Sequence, residues 1–280
     1  MSLGYVRYRL TQRLSEGLPR GTALRLAEHL ADGWWAWSAR DRAAVEGNLS
    51  LIPGSAARPL RAMSREVFRN FGRYLVEFFT MREEALEAVR VEGRGHLDEA
   101  QQHGRGTIVL TGHLGNWELG AAAIRRLAGP MSVVALRHAD PRLDGLFTRQ
   151  RQRCALEVIA VGEGAAQRSL ARLRQGGLVG LLGDREFGAH GLSLTLFGRR
   201  ATLPEGPALL SLRSHAPIVP SFLLREGLWR FRLCVEPPIW PDQLGGRTGA
   251  AEALTRAYTA VMERYIQQVP TQWLMFQPVT

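Results

Sequence analysis

The sequence contains no lysine, so all 36 of its basic residues are arginine, against 26 acidic residues. Arginine binds phosphates and carboxylates through paired hydrogen bonds and is less strongly hydrated than lysine. The excess is uneven: residues 120–235 carry 17 arginines and 8 acidic residues, and so hold nine of the ten net positive charges. This basic central region predicts an anionic partner, which would be a phospholipid surface, a phosphorylated cofactor or a nucleic acid. A solvated basic surface without a special partner is the alternative.

Other features that are rare or absent in the sequence argue against several kinds of site and of protein. Cys154 and Cys234 are the only cysteines, which makes a disulfide or a thiolate metal site improbable and fits a reducing cytoplasm. No apolar run approaches the roughly 18 residues of a membrane-spanning helix, and the N-terminus lacks the pattern of a secretion signal. The seven histidines show no H-E-x-x-H or paired spacing, so no metal is expected. No G-x-S-x-G elbow supplies a nucleophile, and no RNP or helix-turn-helix signature supports nucleic-acid binding.

The hydrophobic pattern divides the chain near residue 89. Residues 1–88 read as a helical cap, with an amphipathic stripe over 60–79, whereas residues 89–280 alternate short apolar strands with helices. The predicted strands are 107–111, 132–136, 157–161, 178–182, 218–224 and 229–236, and the predicted helices among them include 165–175, 206–216 and 251–268. Such alternation predicts an α/β fold, with a mostly parallel central sheet covered by helices and one continuous structural unit.

The stretch "VLTGHLGNWELG" (109–120) places a histidine directly after a predicted strand, at the sheet edge where ligands bind in open α/β folds. If residues 113–118 were all helical, Glu118 would point about 140° away from His113. The pair therefore meets only if His113 lies in a turn, with Asn116 as the N-cap of the next helix and Glu118 in its first turn. Glu118 would then hold one imidazole nitrogen while the other acts as a general base. A hydrogen-bonded turn histidine beside an ordinary first-turn glutamate is the structural alternative.

The motif H-x-x-x-x-[DE] after a strand resembles that of the glycerolipid and lipid A acyltransferases. The surrounding residues look most like the branch that contains the bacterial late acyltransferases of lipid A and the mycobacterial phosphatidylinositol mannoside acyltransferases. Further segments similar to that family are "RAAVEGNLSLI" (42–52), "LVGLLGDRE" (178–186), "SLTLFGRRATLPEGPALLSLRSHAPIVP" (193–220) and "VPTQWLMFQP" (269–278). The resemblance spans nearly the whole chain and implies a glycerolipid-acyltransferase-like fold.

The resemblance implies transfer of an acyl group from a thioester to a glycolipid hydroxyl, with no cofactor beyond acyl-CoA or acyl-carrier protein as co-substrate. His113 would take the hydroxyl proton, and no acyl-enzyme would form. The acid that orients His113 would be Glu118 by preference, with Asp184 second. A thioesterase that uses His113 to activate water, or a non-catalytic basic protein that binds membranes or nucleic acid, remains open.

Substrate-binding candidates surround these three catalytic candidates. They are Asn116, Trp117, Arg149, Arg168, Arg185, Glu186, Glu205 and Gly206. Asp184-Arg185 corresponds to the Asp-Arg with which a strand of the family ends, and Arg185 would hold a phosphate. Glu205-Gly206 occupies the place of the family's Pro-Glu-Gly element, which contacts the acceptor. Surface salt bridges, a helix start at Glu205 and solvated helix faces at Arg149 and Arg168 are the structural alternatives.

The spanning helix with which lipid A late acyltransferases usually begin has no counterpart in the apolar pattern. This favours a peripheral enzyme on the cytoplasmic side of the inner membrane, bound to anionic phospholipids and to a phosphatidylinositol mannoside-like or lipid A-like acceptor. The membrane contact would come from the helix 60–79, through Phe68, Phe71 and Phe78 with Arg65, Arg69 and Arg73, and from Trp34, Trp35 and Trp37. Packing of the same aromatic residues against the core is the alternative. The oligomeric state is not predicted.

Overall fold

The structure, a computed structural model, describes residues 3–186, 191–244 and 249–279. Its α-helices are α1 (Leu3–Gly17), α2 (Arg20–Trp37), α3 (Ala39–Leu51), α4 (Leu60–Thr80), α5 (Arg94–Gln102), α6 (Trp117–Ala128), α7 (Pro141–Arg153), α8 (Ala165–Arg174), α9 (Gly206–Ser214) and α10 (Ala250–Gln268). Its strands are β1 (Val89–Glu92), β2 (Thr107–Thr111), β3 (Met131–Ala135), β4 (Glu157–Ala160), β5 (Leu178–Leu182), β6 (Leu192–Leu196), β7 (Arg199–Leu203), β8 (Ile218–Gly227) and β9 (Arg230–Val235). Short 3₁₀ segments lie at Ser55–Ala57, Glu83–Ala88, Pro241–Leu244 and Pro270–Gln272.

Seven strands form the central sheet in the order β1-β9-β8-β2-β5-β3-β4. All neighbouring pairs are parallel except β8 and β9, which are antiparallel. The predicted α/β fold with a mostly parallel sheet is therefore confirmed. The sequence pattern did not predict β1 or the separate antiparallel hairpin of β6 and β7, because exposed residues interrupt these segments and leave no continuous apolar run.

Helices cover both faces of the sheet. On one face, α5, α6 and α7 contribute Leu97, Leu119 and Phe147 to a core with Val109 and Leu223. On the other face, residues of α8, α9 and α10, including Leu173, Leu210 and Tyr258, pack on the opposite sides of β2 and β5. Parallel strands that are buried on both faces have near-continuous apolar sequences, as β2 and β5 do. This arrangement leaves the carboxyl ends of the strands open for a site.

The helix α4 is a core helix, which corrects the suggestion that it lies on a membrane surface. Phe68 and Phe78 are fully buried, and Phe71 contacts the ring of Phe276. Three arginines of α4 are bound to acidic partners of the cap: Arg65 and Arg69 to Asp32, and Arg73 to Glu28 and Glu66. The alternative of core packing therefore holds for this stripe.

The three clustered tryptophans differ in their surroundings. Trp34 stacks on Phe276 with ring centroids 4.8 Å apart, and Trp35 donates its indole hydrogen bond to Ser64. Trp37, in contrast, is 90% exposed. Trp34 and Trp35 are thus structural, and Trp37 alone of the three is open to solvent. Within the described ranges, no helix combines the length and the apolar character that crossing a bilayer requires.

Candidate active site

The motif loop between β2 and α6 has the local structure that its sequence predicts. Strand β2 ends at Thr111, His113 lies in the turn, and α6 begins at Trp117. The Asn116 side chain accepts a hydrogen bond from the backbone of Leu119 at 3.0 Å, which makes it the N-cap of α6. Glu118 falls in the first turn of this helix, as predicted.

Strand β8 and the C-terminal segment clamp this loop from both sides. The Gly115 amide donates to the carbonyl of Gln272 at 2.9 Å, and the Asn116 amide donates to the carbonyl of Leu223 at 3.0 Å. The carbonyl of His113 accepts a hydrogen bond from the Leu274 amide at 2.7 Å. Gly115 has a φ of +65°, and a Cβ added there would lie 1.9 Å from the Leu223 carbonyl oxygen. Only glycine fits this position, because the backbone is left-handed and β8 approaches it so closely.

The pairing of β2 with β5 brings Asp184 to His113. The two strands are parallel, and Thr111 lies opposite Leu182, so the second residue beyond each strand end is His113 on one side and Asp184 on the other. The Nδ1 atom of His113 lies 2.8 Å from Oδ1 of Asp184, and the His113 backbone amide donates to Oδ2 at 2.7 Å. A Cβ at Gly112 would lie 3.0 Å from this Oδ2, so a glycine there leaves room for the carboxylate.

Asp184 is an ionised acceptor in this arrangement. Its side chain is fully buried, and its Oδ2 also accepts the indole N–H of Trp273 at 3.1 Å. Burial disfavours the charged carboxylate, but the neighbouring His113 ring and the donated hydrogen bonds outweigh burial and hold the pKa of Asp184 below its ordinary value. Because an ionised carboxylate only accepts, Nδ1 of His113 carries the hydrogen. Nε2 is therefore the ring nitrogen that can act as an acceptor, and the ring lines a cavity.

Glu118 does not contact the His113 ring, so the structure contradicts the preference for Glu118 over Asp184 as the orienting acid. Its carboxylate is buried against Arg151 of α7, which donates from Nη2 to Oε1 at 2.6 Å and from Nε to Oε2 at 3.0 Å. Burial opposes the charge on Arg151, yet the attraction of Glu118 raises the pKa of this guanidinium. The pair is an internal salt bridge in the wall of the cavity, which fixes α6 to α7.

Asn116 and Trp117, predicted to bind substrate, occupy different environments. Asn116 is buried, and besides capping α6 it donates from Nδ2 to Oε2 of Glu77 at 2.8 Å. The Glu77 carboxylate in turn pairs with Arg225 of β8, so Asn116 anchors the loop within a buried polar group. Trp117 lines the cavity, stacks on Tyr74 at 4.4 Å and meets the His113 ring edge-on at 5.1 Å.

The cavity has a volume of about 640 Å³ and opens at the carboxyl edge of the sheet. Its apolar wall, on the α6 side, includes Val109, Ile124, Met131, Val133, Phe147 and Leu223. Its polar lining includes Arg185, Glu186, Glu205 and Gly206, which the sequence predicted to bind substrate. Arg185 is half-buried, and burial lowers its pKa against the opposing attraction of Asp184. A cavity of this size, mostly apolar with a few convergent polar groups, has the character of a ligand site.

Arg149 and Arg168, in contrast, do not line the cavity. Both side chains are exposed, and Arg168 donates to the carbonyl of Ala160 at 3.2 Å. The prediction that they bind substrate is not supported, and the alternative of solvated helix faces describes them. Among the residues of the three described ranges, no group of three or more His, Cys, Asp or Glu side chains is arranged to hold a metal ion.

Sequence reasoning missed three residues of the site. Arg151 and Arg213 line the cavity, and Trp273 donates to Asp184. Arg151 and Arg213 lie on helices and resemble the many other arginines of the chain, so no sequence signal marked them. Trp273 belongs to the C-terminal segment 269–278 that resembles the acyltransferase family. This resemblance marked the segment but did not indicate what Trp273 does.

The fold and the site together define an α/β protein with a buried carboxylate–histidine pair at the open edge of a parallel sheet. Residues 11–279 match the sequence profile of the bacterial lipid A biosynthesis acyltransferases, and the chain belongs to this family. It is therefore an acyltransferase.

The chain is also similar to individual proteins. The chain is 29% identical over 240 residues to a phosphatidylinositol mannoside acyltransferase of Mycobacterium tuberculosis (strain H37Rv), which covers 82% of this chain and 73% of the relative. It is 30% identical over 188 residues to a lipid A biosynthesis acyltransferase of Haemophilus influenzae, covering 65% of this chain and 56% of that one. Among solved structures, the 1-acyl-sn-glycerophosphate acyltransferase PlsC of Thermotoga maritima aligns with a TM-score of 0.42 and 13% identity, over 91% of this chain and 98% of that chain.

Proposed function

We propose that the protein is an O-acyltransferase that moves a fatty acyl chain from acyl-CoA or acyl-carrier protein to a glycolipid hydroxyl, with His113 as the general base. The single observation that carries this proposal is the His113–Asp184 pair, held at 2.8 Å and facing a largely apolar cavity. The acceptor we propose is phosphatidylinositol mannoside-like or lipid A-like, because the relatives at 29% and 30% identity carry these two names.

The reaction proceeds by direct transfer. Nε2 of His113 takes the proton of the acceptor hydroxyl while the hydroxyl oxygen attacks the carbonyl carbon of the thioester. The C–S bond then breaks, the ester bond remains, and the imidazolium returns its proton to the leaving thiolate. Asp184 stays ionised throughout and stabilises the imidazolium through Nδ1. The proposed reaction uses no cofactor beyond the acyl thioester.

The two sides of the cavity suit the two substrates. The apolar wall on the α6 side accommodates the acyl chain, and it includes Gly180 of β5, where a Cβ would lie 2.6 Å from the Met131 methyl group. The polar side carries Arg185 and Arg213 with Glu205 at the start of α9. Guanidinium groups bind phosphate, and a carboxylate accepts hydrogen bonds from sugar hydroxyls. This side suits the headgroup of an anionic glycolipid.

The rim of the cavity supports a peripheral contact with the cytoplasmic face of the inner membrane. Leu136 and Val161 follow the adjacent strands β3 and β4, line the cavity and are 51% and 40% exposed. Exposed aliphatic side chains beside an apolar cavity give a lipid chain a route from a bilayer that avoids water. The exposed Arg137 adjoins this rim in sequence and adds attraction for anionic headgroups.

Thiol release from palmitoyl-CoA, with and without a crude lipid extract, tests the proposal. We expect release to need the lipid and to fall about 10²-fold to 10⁴-fold in His113→Ala, because the general base is lost. The matched control is His215→Ala, since His215 forms a second pair with Asp242 at the same Nδ1–Oδ1 distance of 2.8 Å but does not line the cavity. This variant should keep the wild-type rate.

Three other results of this assay would contradict the proposal. Release that needs His113 but no lipid, with free fatty acid as product, identifies a thioesterase. Release that survives in His113→Ala overturns the role of His113. If wild type releases no thiol from palmitoyl-CoA, shorter acyl-CoAs or acyl-carrier protein, the proposed acyl donors are wrong.

A further inference from the structure

The two oxygens of the Asp184 carboxylate have different partners. Oδ1 faces Nδ1 of His113, while Oδ2 accepts the His113 backbone amide at 2.7 Å and the Trp273 indole at 3.1 Å. The His113 amide belongs to the same residue as the base, so it moves with the loop. The indole is the donor that comes from a separate part of the chain.

Trp273 is held in place independently of Asp184. Its neighbours in the chain bind the motif loop through the Gln272 carbonyl and the Leu274 amide, and Trp273 itself pairs with Leu114 in an isolated antiparallel bridge. The ring is 2% exposed and lies in a core cluster with Phe197 against it. An indole has one donor and no acceptor. In this buried position that donor reaches a carboxylate, and such charge-assisted bonds are among the stronger hydrogen bonds in proteins.

We propose that Trp273 is a positioning residue for the acyl transfer: its indole N–H fixes Oδ2 of Asp184, aims Oδ1 at Nδ1 of His113 and limits how strongly the carboxylate attracts the imidazolium. The inference rests on the proposed role of His113 as the base. No bond is made or broken at Trp273, which acts on the reaction only through Asp184.

Loss of this donor has a directional consequence. A carboxylate that gives up one of three hydrogen bonds keeps more charge on its oxygens, so it stabilises the protonated His113 ring more strongly. The ring then holds a proton at a pH where the base needs a free lone pair. A purely structural role for Trp273 would lower the melting temperature without this effect on protonation.

The test is the pH profile of kcat/KM for Trp273→Phe, which keeps an aromatic ring but removes the donor. We expect the acidic limb to move to higher pH by about 0.5 to 1 unit. This shift corresponds to the free energy of about one hydrogen bond, since one pKa unit equals about 1.4 kcal/mol. At a pH within this limb, kcat/KM should fall by up to about tenfold. The ring titration of isotope-labelled His113, followed by NMR without substrate, should move in the same direction.

Trp34→Phe is the matched control, because Trp34 donates its indole N–H to the Asp41 carboxylate at 3.0 Å and packs in the same core cluster. This variant should leave the pH profile and the His113 titration unchanged. If Trp273→Phe does not fold, benzothienylalanine at position 273 keeps the shape of the indole and replaces only its N–H by sulfur. An unchanged acidic limb in a folded variant, or an equal shift in Trp34→Phe, overturns the proposal.

The NMR titration separates this inference from the proposed function. If wild type transfers no acyl group, the proposed function fails, yet the titration still reports whether Trp273 controls the Asp184–His113 pair. If transfer occurs and the titration does not move, the role of Trp273 alone fails.

Discussion

Two buried carboxylates lie beside the cavity, and their partners give them different functions. Asp184 receives N–H groups from His113 and Trp273, so its charge is directed at the ring that becomes positive in the proposed reaction. Glu118 is bound by two nitrogens of the Arg151 guanidinium, so its charge is already compensated. The hydrogen-bond partner of each carboxylate, rather than its spacing from His113 in the sequence, therefore decides which carboxylate supports the proposed base.

Asp184→Asn and Glu118→Gln should separate these functions. We expect Asp184→Asn to lower kcat by about 10²-fold to 10⁴-fold, because an amide does not stabilise the imidazolium. Glu118→Gln should affect kcat much less but should destabilise the fold by about 3 to 5 kcal/mol, because it leaves the buried Arg151 without its counter-charge. Steady-state kinetics and urea unfolding of both variants measure the two quantities.

The control for Glu118 removes both charges together. Glu118→Leu combined with Arg151→Met replaces the salt bridge by apolar side chains of similar volume, and its stability should return close to that of wild type. If Glu118→Gln instead lost as much kcat as Asp184→Asn with an unchanged free energy of unfolding, Glu118 would be the residue that supports His113.

At the level of the elements, the sequence predicted the local structure around His113 well, but it did not predict which side chains pair with His113 and Glu118. The strand 107–111, the turn at His113 and the cap at Asn116 all depend on neighbouring residues, and the structure has them as predicted. The choice of Asp184 depends on strand order instead. Strand β5 pairs with β2 although β3 and β4 lie between them in the chain, and no local pattern specifies that order. The Arg151 partner of Glu118 likewise comes from another helix, 33 positions along the chain.

Gly115 is the position where the loop and β8 depend on each other most closely. Gly115→Ala should destabilise the protein and remove most of its activity, because the added Cβ lies 1.9 Å from the Leu223 carbonyl oxygen and the φ of +65° is unfavourable for alanine. The left-handed backbone alone costs about 1 to 2 kcal/mol, and the displacement of the loop adds to this. Urea unfolding and kcat measure both effects.

Gly104 offers a control with the same backbone but without the close contact. Its φ is +72°, and a Cβ there meets nothing within 4 Å. Gly104→Ala should therefore show only the backbone cost and keep the wild-type kcat. Equal losses in the two variants would mean that the approach of β8 has no part in holding His113.

For the molecule as a whole, the excess of arginine predicted an anionic partner but not where the partner binds. Arg65, Arg69 and Arg73 of α4 are bound to acidic side chains of the cap. Arg185 and Arg213 line the cavity. Exposed aliphatic side chains are more informative than the arginines about where a membrane contact lies. Leu136 and Val161 lie side by side, since the Val161 amide donates to the Ala135 carbonyl at 2.9 Å. They connect the cavity to the surface, and the hydropathy of the sequence did not mark them because both end ordinary apolar strands.

The membrane contact is tested by placing charges on this rim. Leu136→Glu combined with Val161→Glu should weaken binding to vesicles that contain phosphatidylglycerol by roughly tenfold or more, because two aliphatic side chains no longer enter the bilayer and two negative charges repel it. Co-sedimentation with phosphatidylglycerol–phosphatidylcholine vesicles measures this. Leu228→Glu is the matched control, since Leu228 is 68% exposed but does not line the cavity. If the rim variant binds like wild type while Trp37→Ala loses binding, the end of α2 makes the contact, and lipid must reach the cavity by another path.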